Sequence, residues 1–201
     1  MTVDLFQDKA SDWDTQPIPV QISAGVSQAI LKRVPLDAHL TVMDFGAGTG
    51  LICEQIAPHV KRIIAVDISE AMLNQLKDKP ALQRKVEIHC QDITETPLEQ
   101  KVDLIVSAMA MHHVDHTRQL FGAFAEHLSG GGRLALADLD REDGDFHPPH
   151  VEGVYHAGFD REELKEIAVE TGFFDVCFNT ATEVNKEGKI YPIFLMTATK
   201  A

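Results

Sequence analysis

Residues 40–50, LTVMDFGAGTG, constrain the fold of this chain more than any other stretch. The apolar residues around Asp44 predict a short buried strand, and LICEQIA after the stretch has the apolar spacing of a helix. Between them stand three glycines at alternate positions: Gly46, Gly48 and Gly50. Because glycine has no Cβ, a ligand can approach this turn closely, and the free N–H groups of the following helix point to the same place. We therefore expect a polar ligand that carries a nucleoside.

Strand-like and helix-like segments alternate along the rest of the chain. Strands are predicted at 62–68, 86–92, 101–109 and 133–140, and helices at about 50–58, after Ser69, over HTRQLFGAFAEHLS up to the glycines at 130–132, and after Asp160. Two final β-rich runs flank the polar turn NKEGK and predict a hairpin. This order predicts an α/β fold in layers, with a mostly parallel sheet that ends in an antiparallel pair.

The length of 201 residues suits a single domain over 1–201. Residues 1–35 are expected to form an N-terminal cap with a helix at about 20–34, and residues 36–201 a ligand-binding core. Residues 141–159 break the alternation because they are rich in Gly, Pro, His and acids. Long loops inside compact domains are more often functional than idle, so this one is a candidate lid.

Charge and composition exclude several classes of partner. The chain has 31 acidic and 18 basic residues, a formal charge of −13, which disfavours binding to nucleic acid. Three scattered cysteines without a CxxC pair indicate reduced thiols. The N-terminus lacks the apolar core of a secretory signal, and no apolar run approaches the roughly 18 residues of a membrane span. We expect a cytoplasmic protein, monomeric or homodimeric, that does not bind membranes.

Three carboxylates end successive strands on one predicted edge of the sheet: Asp44, Asp67 and Asp92. Ligands of open α/β sheets bind at this edge. Asp67 can accept both hydroxyls of a ribose, although capping the next helix is an alternative role. Asp92 is either a ligand-binding acid or an exposed acid of the loop QDITET.

The spacing DxGxGxG from Asp44 to Gly50 resembles motif I of the class I S-adenosylmethionine-dependent methyltransferases. The βα units with a terminal hairpin are similar to the seven-stranded, Rossmann-like core of that family, over roughly residues 36–200. The resemblance extends to the small-molecule type, a broad group that includes the quinone-biosynthesis methyltransferases. It implies S-adenosyl-L-methionine as cofactor and in-line methyl transfer to a small-molecule acceptor.

The resemblance also implies positions for the cofactor. Asp44 and the glycine loop would meet its methionine end, Asp67 its ribose, and Asp92 its adenine amino group. The full set of predicted cofactor-binding residues is Trp13, Asp44, Gly46, Ala47, Gly48, Gly50, Asp67, Ile68, Met72, Asp92, Ile93, Ala108 and Met109. For Trp13 and Met72, plain packing remains an alternative.

His112 and His113 are the predicted catalytic residues. They follow SAMAM directly, past the fourth strand, and histidine can take a proton near neutral pH. A packing or backbone-binding role is the alternative for either one. Histidines of the loop 141–159 match no firm zinc spacing, and no metal site is predicted.

Two other functions compete with methyl transfer. One is a non-catalytic S-adenosylmethionine-binding protein, and the other, less favoured, is an NAD(P)-dependent oxidoreductase. The oxidoreductase is disfavoured by the GxGxG spacing, by Asp92 and by the terminal hairpin, because dinucleotide sites use GxGxxG. The sequence does not identify the acceptor or the atom that is methylated.

Overall fold

A seven-stranded sheet forms the centre of the computed structural model, which describes residues 4–201. The strands are β1 (Thr41–Phe45), β2 (Arg62–Asp67), β3 (Val86–Cys90), β4 (Val102–Ala108), β5 (Leu128–Leu139), β6 (Phe173–Lys186) and β7 (Lys189–Lys200). Their spatial order is β3-β2-β1-β4-β5-β7-β6. Strands β1 to β5 pair in parallel, and β7 is antiparallel to both β5 and β6. The predicted mostly parallel sheet with an antiparallel end is therefore confirmed.

Helices cover both faces of this sheet. They are α1 (Pro17–Arg33), α2 (Leu51–Ile56), α3 (Glu70–Lys77), α4 (Thr117–His127) and α5 (Arg161–Glu170). Successive side chains of a strand point to opposite faces, so Ile63 packs with α1, α2 and α3 while Ile64 packs with α4 and α5. Two apolar cores result, one on each side, and the fold has three layers.

The N-terminal region contains one element that the sequence did not predict. A 3₁₀ helix spans Gln7–Thr15, and α1 then starts at Pro17 rather than near residue 20. Pro17 occupies the first helical position, where its missing N–H costs nothing and its fixed φ suits the helix. Residues 1–3 of the predicted cap lie outside the described part of the chain.

The predicted end of α4 is two residues too late, and β5 begins five residues earlier than predicted. The helix ends at His127, and the glycines at 130–132 belong to β5 instead of terminating the helix. Leu128 already pairs with Val102 of β4, and an irregularity in the register follows this pair. β5 therefore begins before the glycine run, at Leu128. The local sequence could not predict this start, because it carries no information about pairing with β4.

The hairpin at the end of the chain has the predicted turn. Lys186 pairs with Lys189, and the two residues between them, Glu187 and Gly188, have φ values of 55° and 88°. Positive φ at both central residues is typical of the two-residue turns whose twist matches that of the flanking strands. This turn sets the register by which β7 enters between β5 and β6.

Asp160 caps α5 as predicted, and its removal should destabilise the fold. Its Oδ1 accepts hydrogen bonds from the N–H groups of Glu162 at 2.9 Å and Glu163 at 3.1 Å. Asp160→Ala should lower the free energy of unfolding by about 1 kcal/mol, measured by urea denaturation. Asp160→Ser, which keeps a capping oxygen, should stay close to wild type, and an equal loss in both variants would contradict the capping role.

Candidate active site

A cavity of about 840 Å³ opens at the carboxyl ends of β1, β2 and β4. Its walls come from the N-terminal cap, from the glycine loop after β1, from the turns after β3 and β4, and from the loop 141–159. The sheet order places β2 and β4 on opposite sides of β1, so the chain leaves these strands in opposite directions and a crevice forms between them. The volume lies within the range of small-ligand sites.

Most of the predicted site residues line this cavity. They are Trp13, Gly46, Ala47, Gly48, Asp67, Ile68, Met72, Asp92, Ala108, Met109, His112 and His113. Three predicted residues are absent from the lining within residues 4–201: Asp44, Gly50 and Ile93. Ile93 is buried in the core beside α4, and Gly50 packs under α3, where an added Cβ would lie 2.8 Å from Leu76.

Gly46 and Gly48 in this loop are glycines for different structural reasons. Both have left-handed backbone, with φ of 68° at Gly46 and 53° at Gly48. A Cβ on Gly46 would lie 2.2 Å from the Cβ of Ala110, so this position needs glycine for packing. A Cβ on Gly48 would meet no atom within 4 Å, so this position borders the open cavity. The space beside Gly48 is a cradle into which a ligand can bring its polar groups.

The Asp67 carboxylate holds the glycine loop in place. Its Oδ2 accepts a hydrogen bond from the N–H of Gly48 at 2.8 Å, and its Oδ1 accepts one from the N–H of Ser69 at 2.8 Å. Burial is the main cause that raises the pKa of Asp67 above its ordinary value, while these two N–H groups lower it. One carboxylate thus joins the loop after β1 to the start of α3, and it also borders the cavity.

Asp44 lies underneath the glycine loop. Its side chain is buried, and its Oδ2 accepts a hydrogen bond from Sγ of Cys53 at 3.0 Å. Burial raises the pKa of Asp44 to about 7, and the nearby charge of Asp67 adds to this rise. Burial also raises the pKa of the Cys53 thiol. Asp44 therefore supports the loop from inside and adds a titrating group below the cavity floor.

Asp92 caps the turn after β3. Its Oδ1 accepts hydrogen bonds from the N–H of Thr94 at 2.8 Å and from the hydroxyl of Thr94 at 2.7 Å. Its other oxygen, Oδ2, has no hydrogen-bond partner among residues 4–201 and remains able to accept one from a ligand. Asp92 therefore caps the turn with one oxygen and also lines the cavity.

The N-terminal 3₁₀ helix closes one side of the cavity. Asp14 accepts a hydrogen bond from the hydroxyl of Thr49 in the glycine loop and forms a salt bridge of 2.7 Å with Lys79 beyond α3. These contacts hold Phe6 and Trp13, whose rings pack edge to face, against the site. Trp13 therefore both packs and lines the cavity. Nothing in the local sequence predicted the link from Asp14 to Thr49.

The chain bends sharply after β4. Met109 has φ of 59°, which is unusual for a residue with a side chain, and its N–H donates to the carbonyl of Ala137 at 2.9 Å. Strained backbone of this kind persists where the surroundings fix it, often at functional sites. The bend places Met109 in the cavity lining and directs the next residues into a short 3₁₀ turn, Met111–His113.

Three imidazoles meet at the far end of the cavity: His112, His113 and His147, here called the imidazole cluster. The ring centroids of His112 and His113 are 4.2 Å apart, and those of His112 and His147 are 5.0 Å apart. Nδ1 of His112 lies 2.7 Å from Oδ1 of Asp138, and its Nε2 lies 3.1 Å from Nε2 of His147. Nδ1 of His113 lies 2.6 Å from the carbonyl oxygen of Gly153.

Burial depresses the basicity of two members of the cluster. It is the main cause that lowers the pKa of His113 to about 4 and that of His147 to about 4, and a proton on the neighbouring His112 would disfavour protonation of either ring. Both rings are therefore neutral at pH 7. A neutral imidazole has one nitrogen with a lone pair, which can accept a hydrogen bond or a proton.

The loop 141–159 is held firmly against the sheet. One oxygen of Glu142 accepts hydrogen bonds from three successive N–H groups, those of Gly144, Asp145 and Phe146, at 2.8–3.1 Å. Asp145 in turn accepts hydrogen bonds from the hydroxyl of Tyr191 at 2.9 Å and from the ammonium of Lys189. No local sequence pattern predicted the hydrogen bonds from these three N–H groups to Glu142, or the contact of Asp145 with the distant Tyr191.

His147 of the imidazole cluster and its neighbour Asp138 were not predicted as catalytic residues. His147 stood among the histidines of the candidate lid 141–159, and Asp138 was an acid near the end of a predicted strand. No spacing connects residues 112, 138 and 147, since they meet only when β4 pairs with β5 and the loop folds back. Within residues 4–201 no three His, Cys, Asp or Glu side chains are grouped as ligands for a metal ion.

Comparisons with known proteins agree with this fold. A family model described as a methyltransferase domain matches residues 42–132. An uncharacterised methyltransferase of Schizosaccharomyces pombe is 28% identical over 145 residues, covering 62% of this chain and 50% of that protein. A ubiquinone biosynthesis O-methyltransferase of Coxiella burnetii is 29% identical over 141 residues, covering 68% of this chain and 60% of that protein. The chain thus spans about half the length of several curated relatives that it matches.

A solved structure is similar over nearly the whole chain. The phosphoethanolamine N-methyltransferase 2 of Haemonchus contortus, solved with S-adenosyl-L-methionine, has a TM-score of 0.71 and 18% identity, covering 99% of this chain and 60% of that one. At this identity the likeness concerns the fold. The domain match over residues 42–132 and the order of the strands agree with the resemblance of this chain to the class I S-adenosylmethionine-dependent methyltransferases.

The depressed pKa values predict that acid destabilises this site. Unfolded histidine titrates near 6.5, whereas folded His113 and His147 stay neutral down to about 4. The unfolded chain therefore binds more protons between these values, and stability falls as the pH drops from about 6.5 towards 4. His113→Gln should lose less stability than wild type between pH 7 and pH 5, measured by urea denaturation. A variant curve parallel to wild type would contradict the assignment.

The two loop glycines should respond differently to alanine. Gly48→Ala should cost about 1–2 kcal/mol of stability, because only the left-handed backbone is strained. Gly46→Ala has the same strain and an overlap with Ala110, and should cost a further ~1–3 kcal/mol. Thermal and urea unfolding of the two variants measure the difference, and equal losses would show that the contact with Ala110 does not matter.

Proposed function

We propose that this protein transfers a methyl group from S-adenosylmethionine to a small-molecule acceptor bound in the same cavity. The observation that carries the proposal is the continuity of the cavity, which joins the glycine loop and Asp67 at one end to the imidazole cluster at the other. When bound, S-adenosylmethionine supplies an activated methyl group on a sulfonium. The protein must align the acceptor with that methyl group and exclude water.

The residues around the glycine loop fit this cofactor. The cradle beside Gly48 leaves room at an exposed backbone, and Asp67 borders it with a carboxylate that can accept hydrogen bonds from the ribose hydroxyls. Ile68 is 66% exposed although it is apolar, so an adenine ring that covers it would bury free apolar surface. Met72 lines the same wall, and Oδ2 of Asp92 is free to accept from the adenine amino group.

The other predicted cofactor residues fall into two groups. Gly46, Ala47, Ala108, Met109 and Trp13 line the cavity and would contact the methionine end or cover it. Asp44, Gly50 and Ile93 are proposed to act behind the lining: Asp44 through the charge and shape of the loop, Gly50 through packing under α3, and Ile93 at most through its backbone N–H.

Several features support a small acceptor. The 3₁₀ helix at Gln7–Thr15 and the anchored loop 141–159 both contribute walls to the cavity. The net charge of −13 disfavours nucleic acid. No helix among residues 4–201 has the length and hydropathy needed to cross a membrane. At the acceptor end, His113 and His147 line a wall that also contains the apolar side chains of Phe6 and Phe146.

Removing the Asp67 carboxylate should weaken binding of the cofactor. Hydrogen bonds to charged groups contribute roughly 1.5–3 kcal/mol, so Asp67→Ala should raise the Kd for S-adenosylhomocysteine about 10- to 150-fold, measured by isothermal titration. Asp78→Ala at the other end of α3 is the matched control and should bind as wild type does. Unchanged affinity in Asp67→Ala would rule out the ribose role.

Methyl transfer itself is tested in two steps. Isothermal titration with S-adenosylmethionine, S-adenosylhomocysteine, NAD and NADP should give micromolar binding of the first two ligands and none of the others. S-Adenosylhomocysteine release is then followed while hydroxyl, amine, thiol and carboxylate compounds are added one at a time. Binding without release on any of them would favour a non-catalytic adenosylmethionine-binding protein, and binding of NAD or NADP alone would restore the oxidoreductase.

A further inference from the structure

We propose that Asp138, His112 and His147 form a proton relay that takes the proton from a hydroxyl group on the acceptor. Nδ1 of His147 is the atom that receives this proton. The inference rests on the proposed methyl transfer and names the chemical class of its acceptor. It also assigns the cavity-facing role to a loop histidine, whereas the sequence predicted His112 and His113.

The first contact of the relay fixes the protonation of His112. Asp138 is fully buried and His112 is 1% exposed, and 2.7 Å separates Oδ1 of Asp138 from Nδ1 of His112. A carboxylate only accepts hydrogen bonds, so Nδ1 of His112 carries the hydrogen. Oδ2 of Asp138 also accepts the backbone N–H of His112 at 3.2 Å, which keeps the ring in this orientation. In the neutral ring, Nε2 of His112 must then be an acceptor.

The second contact fixes which ring nitrogen of His147 carries the hydrogen. Nε2 of His112 and Nε2 of His147 are 3.1 Å apart, a hydrogen-bond distance that requires a hydrogen on one of the two atoms. Because Nε2 of His112 is the acceptor, His147 carries its hydrogen on Nε2. Its Nδ1 therefore bears the lone pair. This atom has no protein partner within residues 4–201, and His147 lines the cavity.

The proton step is balanced along this path. The O–H bond of the acceptor breaks, its hydrogen forms a bond to Nδ1 of His147, and the electron pair stays on oxygen for the attack on the methyl carbon. Nε2–H of His147 is then transferred to Nε2 of His112. The positive charge ends on His112, in contact with the carboxylate of Asp138. After the product leaves, the reverse transfers return the proton to water through His147.

His113 is a poorer proton acceptor in this arrangement. Its Nδ1–H donates to the carbonyl of Gly153, so its conjugate acid would be a buried cation held by a neutral group. The charged and titratable groups that act on His113 and His147 are His112, Asp138, Lys9 and Lys186. Only Asp138 among them is an acid, and it contacts His112 directly. The relay therefore moves positive charge away from the lysines and towards the single carboxylate.

The loop holds His147 in position for this role. Phe146 is buried against the ring of Tyr191, and its carbonyl accepts a hydrogen bond from the ammonium of Lys186. The Glu142 carboxylate fixes the backbone of the three residues just before His147. Because the residues just before His147 are anchored in this way, the ring keeps a defined distance to a bound acceptor, as general base catalysis requires.

A hydroxyl acceptor fits the relay better than the other acceptor classes. A carboxylate acceptor is already ionised at neutral pH, so it has no proton to give. An amine that arrives as an ammonium ion would add a third positive charge to those of Lys9 and Lys186, which line the cavity next to the imidazole cluster. A neutral hydroxyl gains most from a base, since an oxygen that is losing its proton attacks the methyl group far better than a neutral one.

The hydrogen positions are tested first, without any acceptor. Long-range ¹H–¹⁵N spectra of the ring nitrogens in the whole protein should give Nδ1–H for His112 and Nε2–H for His147. Asp138→Asn preserves the shape of the side chain and removes its charge, and it should change the tautomer signals of both rings. His147 with its hydrogen on Nδ1, or signals unaffected by Asp138→Asn, would overturn the relay.

The proton uptake is tested with 4-nitrocatechol, whose absorbance changes when its hydroxyl ionises. It is added to the protein saturated with S-adenosylhomocysteine, and the pH is varied. The bound probe should ionise about one pH unit lower in wild type than in His147→Gln or Asp138→Asn, while His113→Gln retains most of the shift. His39→Gln, an exposed histidine before β1, is the control and should match wild type.

Each outcome of this second test decides the proposal. Equal spectra in wild type and His147→Gln, from absent binding or absent proton uptake, would exclude a hydroxyl acceptor on this relay. A shift lost in His113→Gln alone would assign the base to His113. The variants should bind S-adenosylhomocysteine as wild type does. Failure of wild type to bind it would instead refute the proposed function, while the spectra of the ring nitrogens would still decide the hydrogen positions.

Discussion

The parallel pairing of β1 between β2 and β4 is the constraint on which the rest of the structure depends. The register places Asp44 beside Ala65 on one side and beside Val106 on the other. The backbone continues this pairing past the end of β1, because the N–H groups of Gly46 and Ala47 both donate to the carbonyl of Val66. The glycine loop is thus hydrogen-bonded to the end of β2, and the cavity opens at a fixed point.

The end of the cavity that holds the imidazole cluster depends on a second pairing, that of β4 with β5. It brings Ala108 opposite Ala137, and the backbone of Met109 then hydrogen-bonds to Ala137 after the strand has ended. The following turn carries His112 to the next residue of β5, Asp138. The methyltransferase fold is common to many activities. The contact of His112 with Asp138 is instead a local feature of this chain, on which the proposed proton relay depends.

Local patterns predicted the elements of this protein where their causes are local. Asp160 caps α5 because its side chain reaches the N–H groups two and three residues later, and the sequence contains that spacing. Asp67 was predicted at the end of β2 by its place after a buried strand. The end of α4 was wrong because Leu128 pairs with a distant strand, and the 3₁₀ helix at Gln7–Thr15 was missed because its stabilising contacts, such as Asp14 with Thr49, are also distant.

The sequence by itself determined the class of fold and most of the residues at the glycine-loop end of the cavity. Alternating apolar periods specify strands and helices, and the glycines and carboxylates that follow the strands must then meet at one edge of a parallel sheet. Only the tertiary structure brought His112, His147 and Asp138 together. Asp138 lies 26 residues after His112, and the three side chains meet through contacts made across paired strands and a folded loop. No spacing along the chain encodes such contacts, because their distances arise only when separate elements pack together.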